Sequence, residues 1–106
     1  RAKEIKGLKY FHILTACPPG WGCEEHKTIA IGKAAVESGL FDLYEIEDGQ
    51  TRLSEPSKKL LGKDSLRPIR EYLEMQTRFN ALNDEQVDAM QAQVDQKWAG
   101  YRNTFG

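Results

Sequence analysis

The apolar run Tyr10-Phe11-His12-Ile13-Leu14 constrains the fold most, because it stops abruptly at Thr15-Ala16-Cys17-Pro18-Pro19-Gly20-Trp21. Residues 9–16 lack the strict alternation of a half-solvated sheet and read as a strand covered on both faces, as in parallel sheets. Two prolines and a glycine then impose a rigid turn, and Cys17 stands at its mouth. Structural cysteines normally lie inside periodic segments. A thiol fixed at a strand's end has two readings: a ligand or reactive group, or a small apolar residue filling space beneath the turn.

The remaining elements follow from periodicity and punctuation. Residues 1–7 are charged and end at Gly7, the tail of a helix leading into the strand. Glu24-Glu25 place negative charge where a first helical turn favours it. The segment from Lys27 to Glu37 then carries Ile29, Ala30, Ala34 and Val36, and Ser38-Gly39 supplies a stop. Phe41, Leu43 and Ile46 form the apolar side of a second strand. Asp48-Gly49 is a two-residue hairpin signal, returning through Thr51-Arg52-Leu53. Residues 54–66 show no period and read as a solvated loop. Arg67-Pro68 opens a helix with Ile69, Tyr72, Leu73 and Phe79 at helical spacings. Asn83 with Gln86 forms a capping-box pair, and Val87, Met90, Val94, Trp98 and Tyr101 stripe the last helix.

The fold class is therefore α/β. Residues 1–53 form a strand–turn–helix–strand piece carrying the Cys17 turn, 54–66 a loop, and 67–106 a helical C-terminal arm. Two strands, a short return and three helices make a thin core for 106 residues. A strand buried on both faces needs neighbours that the chain does not supply, so the sequence reads as part of a larger sheet. It opens at Arg1 rather than methionine, which fits a missing upstream part.

Charge excludes some classes. The formal net charge is −1, with both halves nearly neutral, and nucleic-acid phosphates need a basic surface. No apolar run approaches the roughly 20 residues of a membrane span, and no signal-peptide pattern opens this sequence. Two cysteines in such a chain suggest a reducing cytoplasm rather than a disulfide scaffold. Cys17, Cys23, His26 and His12 can be assembled on paper into a zinc set, but the spacing is loose and His12 lies inside the strand. There His12 reads as a strand residue with one buried hydrogen bond, His26 as an exposed first-turn residue, and Trp21 as a core or interface aromatic. Arg78 with Gln76 fits either a bridge to a neighbouring subunit or a solvated helix face. Lys58, Lys59, Lys63, Arg67 and Arg70, diluted by Glu55, Asp64 and Glu71, read as ordinary surface.

The turn resembles the Cys-Pro-x-Gly-Trp turn of the thiamine-diphosphate-binding β subunit of pyruvate (2-oxoacid):ferredoxin oxidoreductases. The resemblance spans most of the chain. Besides residues 10–14, it rests on the stretch Thr28 to Phe41, on Leu43-Tyr44-Glu45-Ile46-Glu47-Asp48-Gly49, and on Pro68-Ile69-Arg70-Glu71-Tyr72-Leu73-Glu74-Met75-Gln76-Thr77-Arg78-Phe79. This last stretch is similar to a Pro-x-x-Glu-Tyr-Leu-x-x-Gln-x-Arg-Phe segment near the family's C-terminus.

The resemblance implies the C-terminal section of a thiamine-diphosphate-binding parallel-sheet domain. The whole enzyme would decarboxylate a 2-oxoacid, pyruvate first among them, to an acyl-coenzyme A and pass electrons through iron–sulfur clusters to ferredoxin. Cys17 would be the last of four ligands to a [4Fe–4S] cluster, where a thiolate's charge and softness suit iron. Amides around Pro19-Gly20-Trp21 would tune its potential. The other three cysteines and the motif that holds Mg2+ and thiamine diphosphate lie upstream of this chain, so the segment alone would be inert. Its partners would be the rest of the β subunit, the other subunits and ferredoxin, in the cytoplasm. Cys23 matches no ligand position. A detached, non-catalytic interaction module of the same fold piece is the alternative, and a small zinc protein trails both.

Overall fold

A long C-terminal helix organises the molecule. In the computed structural model, which describes residues 1–106, the order is a one-turn helix α1 (Pro18–Trp21), α2 (Thr28–Glu37), a hairpin β1 (Tyr44–Glu47) and β2 (Gln50–Leu53), α3 (Ser57–Leu60), α4 (Ile69–Glu74) and α5 (Asp84–Phe105). Single 3-10 turns occupy Ala2–Glu4, Glu25–Lys27 and Thr77–Phe79.

The start of α5 follows from its cap. Asn83 Oδ1 accepts from the Gln86 N–H at 2.8 Å, and Gln86 Oε1 accepts from the Asn83 N–H at 2.9 Å. Two amides without intrahelical partners are thereby satisfied. The stripe expected from the sequence is the face that packs: Val87, Val94 and Trp98 are buried, with Met90, Tyr101 and Phe105 against the same cluster. Ile31, Ala34 and Ala35 of α2, Ile69, Tyr72 and Leu73 of α4, and Leu53 and Leu60 complete the core. Trp98 is fully buried, and its indole N–H donates to the Gly39 carbonyl at 2.9 Å. This contact ties α5 to the end of α2, where Ser38 caps the helix and Gly39 takes a left-handed φ of 75°. Asp42 reinforces the tie by accepting from Lys97 Nζ at 2.6 Å and Tyr101 Oη at 2.7 Å.

The hairpin forms at Asp48-Gly49 with both residues at positive φ (51° and 77°), the geometry of a primed two-residue turn. Its register pairs Tyr44 with Leu53 and Glu47 with Gln50. Arg52 donates to Glu45 and Glu47 on the facing strand.

Several expectations are corrected. The hairpin is the whole sheet, and residues 9–16 form no strand. Tyr10, Phe11 and Ile13 are exposed, and Leu8 is fully so. His12 makes no buried hydrogen bond; its ring meets Phe41 edge-on at 5.5 Å. The physical reason is the one the sequence raised: a strand exists only with a ladder partner, and this chain provides none for that segment. Ile46 is likewise exposed, because the hairpin packs on the core only at its base, through Leu53. Ile29 and Ala30 face solvent, while Ile31, Ala34 and Ala35 form the buried face of α2. The stretch 54–66 is not all loop. The α3 turn within it buries Ser57 and Leu60, and Ser57 Oγ accepts from the Leu43 N–H at 2.8 Å. Phe79 lies in the Thr77–Phe79 turn rather than in α4.

The unpaired segment leaves a measurable excess of surface. The accessible area is 7771 Å², against about 6,000 Å² for a compact monomer of this mass. The radius of gyration is 15.5 Å, against about 13 Å for a compact domain of this length.

Candidate functional site

The Cys17 turn is built by α1. Cys17 is its N-cap, with extended backbone, and the two prolines at the first helical positions supply preset φ and no orphan amide. The Cys17 carbonyl accepts from the Trp21 N–H at 2.8 Å, closing the turn. Gly22 then reverses the chain with φ 67° and ψ 52°. Its carbonyl accepts from the Thr77 N–H at 3.0 Å, and a Cβ at Gly22 would collide with the Thr77 hydroxyl. Glycine is required there on both counts, conformation and room.

Cys17 is exposed and unbridged. Gly20 contributes to its accessibility, since a Cβ there would stand 3.4 Å from Cys17 Sγ. Of the amides expected to tune this sulfur, Pro19 has none and that of Trp21 is already engaged by the Cys17 carbonyl. Only the Gly20 N–H remains in this turn. Cys23 behaves differently: it is half-buried against the core, and its N–H donates to the Pro18 carbonyl at 3.2 Å.

The zinc set does not form. No three histidine, cysteine, aspartate or glutamate side chains gather as a metal site. His26 is exposed and lies 3.2 Å from Glu24. The basic group around residues 58–70 is largely neutralised. Arg67 bridges Glu71 at 2.8 Å and Glu37 at 3.0 Å, and these hydrogen bonds raise its pKa further. Arg70 meets Asp84 at 3.1 Å. No helix is long and apolar enough to cross a membrane.

The feature missed from the sequence is the seat beneath the turn. The Arg78 guanidinium carbon lies 3.9 Å from the Trp21 ring centroid and 4.4 Å from that of Phe79. Arg78 Nε donates to Gln76 Oε1 at 2.8 Å, and Nη2 to Tyr72 Oη at 3.3 Å. Gln76 is almost wholly buried and donates in turn to the Tyr72 carbonyl at 2.9 Å. Arg78 is exposed and at the same time packs within the chain, its guanidinium on the Trp21 ring. Trp21 and Arg78 lie far apart in the chain, and no local pattern announces the contact.

The turn, the helix that follows it and the Gln76–Phe79 seat belong to a chain related to the B subunits of 2-oxoacid oxidoreductases. Over this segment the chain is similar to those subunits. It is 43% identical over 98 residues to pyruvate synthase subunit PorB of Methanocaldococcus jannaschii, covering 92% of this chain and 30% of the relative. Pyruvate synthase subunit PorB of Methanothermobacter marburgensis is 40% identical over 96 residues, covering 90% and 31%. Ketoisovalerate oxidoreductase subunit VorB of Pyrococcus horikoshii is 34% identical over 98 residues, covering 92% and 30%. The chain therefore spans about three tenths of the length of the curated relatives it matches. No family model matches it.

Proposed function

We propose that this chain is the C-terminal section of the B subunit of a cytoplasmic 2-oxoacid:ferredoxin oxidoreductase acting on pyruvate, and that Cys17 is one of four ligands to a [4Fe–4S] cluster. The observation that carries the reading is the 43% identity to a pyruvate synthase subunit over 92% of the chain. The residues present fit their share of such a centre. Cys17 offers one accessible thiol on a rigid turn, with the sulfur left uncovered by Gly20, and a cluster takes thiolates from several parts of a protein. The other three ligands have to come from elsewhere, as do the groups that hold thiamine diphosphate and Mg2+.

A bound cluster accepts and releases single electrons, which links two-electron oxidation of a 2-oxoacid to a one-electron carrier such as ferredoxin. This chain's own contribution is structural. The prolines preset the backbone before the sulfur, and Gly22 and Thr77 fasten the turn to the segment after α4. Residues 8–14 lie outside any helix or strand and expose the apolar side chains of Leu8, Tyr10, Phe11 and Ile13. In the whole subunit this segment becomes an interior strand of the parallel sheet, covered by upstream strands and helices. The partners are then the remainder of the B subunit, the other subunits, and ferredoxin, with coenzyme A and the oxoacid as substrates.

The test is composition. Iron, sulfide, thiamine diphosphate and zinc are measured per chain after anaerobic purification from the native source with bound partners retained. The proposal predicts near-stoichiometric iron and thiamine on a larger assembly. A metal-free, partnerless 12.1 kDa chain would support a detached module instead, and zinc alone would contradict both.

A further inference from the structure

We propose that Arg78 is a positioning residue for Cys17 and also carries an uncompensated positive charge on the Trp21 ring of the same turn; the inference rests on Cys17 being a cluster ligand. Four observations converge. The Cys17 turn has two fastenings to the rest of the chain beyond its own hydrogen bonds, and both land on consecutive residues. One is the Thr77 N–H to the Gly22 carbonyl, and the other is Arg78 on the Trp21 ring. Trp21 is itself locked to Cys17 through the amide that closes α1. A displacement of the indole therefore tilts the turn that aims the sulfur.

The arginine is in turn held from behind. Its Nε is fixed by Gln76, whose amide is buried and anchored on the Tyr72 carbonyl, and its Nη2 reaches the Tyr72 hydroxyl. A planar guanidinium can stack by its face and donate from its edge simultaneously; an ammonium cannot. The geometry uses both properties, so lysine is no equivalent here.

Its charge also lacks a counter-anion. Arg1, Arg52, Arg67 and Arg70 all pair with carboxylates, while Arg102 donates to the Lys63 carbonyl. Arg78 meets only neutral partners: two rings, an amide and a phenol. A cation without a counter-anion on the turn that holds a cluster thiolate would favour the electron-rich, reduced form and so raise the reduction potential. The two roles separate by substitution, because lysine keeps the charge and loses the fork, whereas methionine loses both.

The experiment uses the assembled oxidoreductase containing this chain, purified anaerobically, as wild type and as Arg78→Met, Arg78→Lys and Cys17→Ser. Cluster potential is read by an EPR-monitored redox titration, and turn positioning by the rate of iron loss to a chelator. Arg78→Met should shift the one-electron equilibrium toward the oxidised form on the order of tenfold, about 59 mV to the negative. Arg78→Met and Arg78→Lys should both lose iron severalfold faster. Arg78→Lys should show well under half of the potential shift. An equal shift in lysine and methionine variants would overturn the charge role. A wild-type rate of iron loss in both would overturn the positioning role. Should Arg78→Met fail to assemble, Arg78→Lys decides positioning by that rate and Arg78→Gln decides charge, a wild-type potential in the glutamine variant overturning the charge role. If Cys17→Ser leaves iron and the EPR signal intact, the ligand reading itself fails, whatever Arg78 does.

Discussion

Substituting Gly22 by alanine tests whether the Cys17 turn is held as described. Gly22 sits at φ 67° and ψ 52°, where a Cβ costs about 1–2 kcal/mol. The new methyl would also strike the Thr77 hydroxyl, and would stand 3.0 Å from Thr77 Cβ and 3.3 Å from its N. Overpacking of this kind costs about 1–3 kcal/mol. Alanine narrows the unfolded ensemble and returns about 0.4–1 kcal/mol. Gly22→Ala should therefore lose about 1–4.5 kcal/mol, against the roughly 5–15 kcal/mol that holds a domain together. Thr77→Ala alone, at an exposed position, should stay within about 0.5 kcal/mol of wild type.

The double variant removes the worst contact and keeps the left-handed strain, so it should recover about 1 kcal/mol or more relative to Gly22→Ala. Urea unfolding followed by near-ultraviolet circular dichroism, which reports Trp21 and Trp98, gives the three values. A loss below about 0.5 kcal/mol for Gly22→Ala, or strictly additive single changes, would refute the fastening of the turn to Thr77.

Trp98→Phe removes the indole donor to Gly39 and leaves a void at a fully buried site, and should cost about 2–3 kcal/mol in the same unfolding assay. Asn83→Ala should cost about 1 kcal/mol and lower helicity at the start of α5, since it breaks one half of the capping box. Burial, and then the hydrogen bond to Asp42, push the Tyr101 hydroxyl up to about 12. Its neutral form is thus favoured by folding, and the stability it brings is complete below about pH 10 and lost as pH rises through 12. Absorbance titration at about 295 nm, a wavelength that follows tyrosinate, should show a late step that Tyr101→Phe abolishes. Ile13→Asp should leave the unfolding midpoint of the isolated chain unchanged, because Ile13 is 77% exposed. On the proposed function it should also abolish assembly of the oxidoreductase, since it would place a charge inside the proposed sheet.

Local patterns carried most of what was legible in the sequence. The capping box at Asn83 and Gln86, the Val87–Trp98 stripe, the Asp48-Gly49 hairpin and the Ser38-Gly39 stop each depend on residues within a few positions, and each forms. The strand at 9–16 has the right composition, yet composition cannot supply a ladder partner, and the apolar side chains from Leu8 to Leu14 stay in solvent. Residues 54–66 misled in the other direction. Leu60 and Ser57 are buried through contacts with α2 and Leu43, which no periodicity within the loop can show. The seat of the Cys17 turn was illegible for a similar reason: Arg78 and Trp21 meet only through the tertiary packing of α1 on the Thr77–Phe79 turn.

The most direct measurement is the iron and acid-labile sulfide content of the native assembly carrying Cys17→Ser, beside the same assembly carrying Cys23→Ser. Cys17 stands exposed on the rigid turn and Cys23 lies half-buried against the core. Loss of about one cluster's iron in the first variant, with wild-type content in the second, is the predicted result. Equal losses from both, or no loss from the first, would contradict the assignment of Cys17 as a ligand.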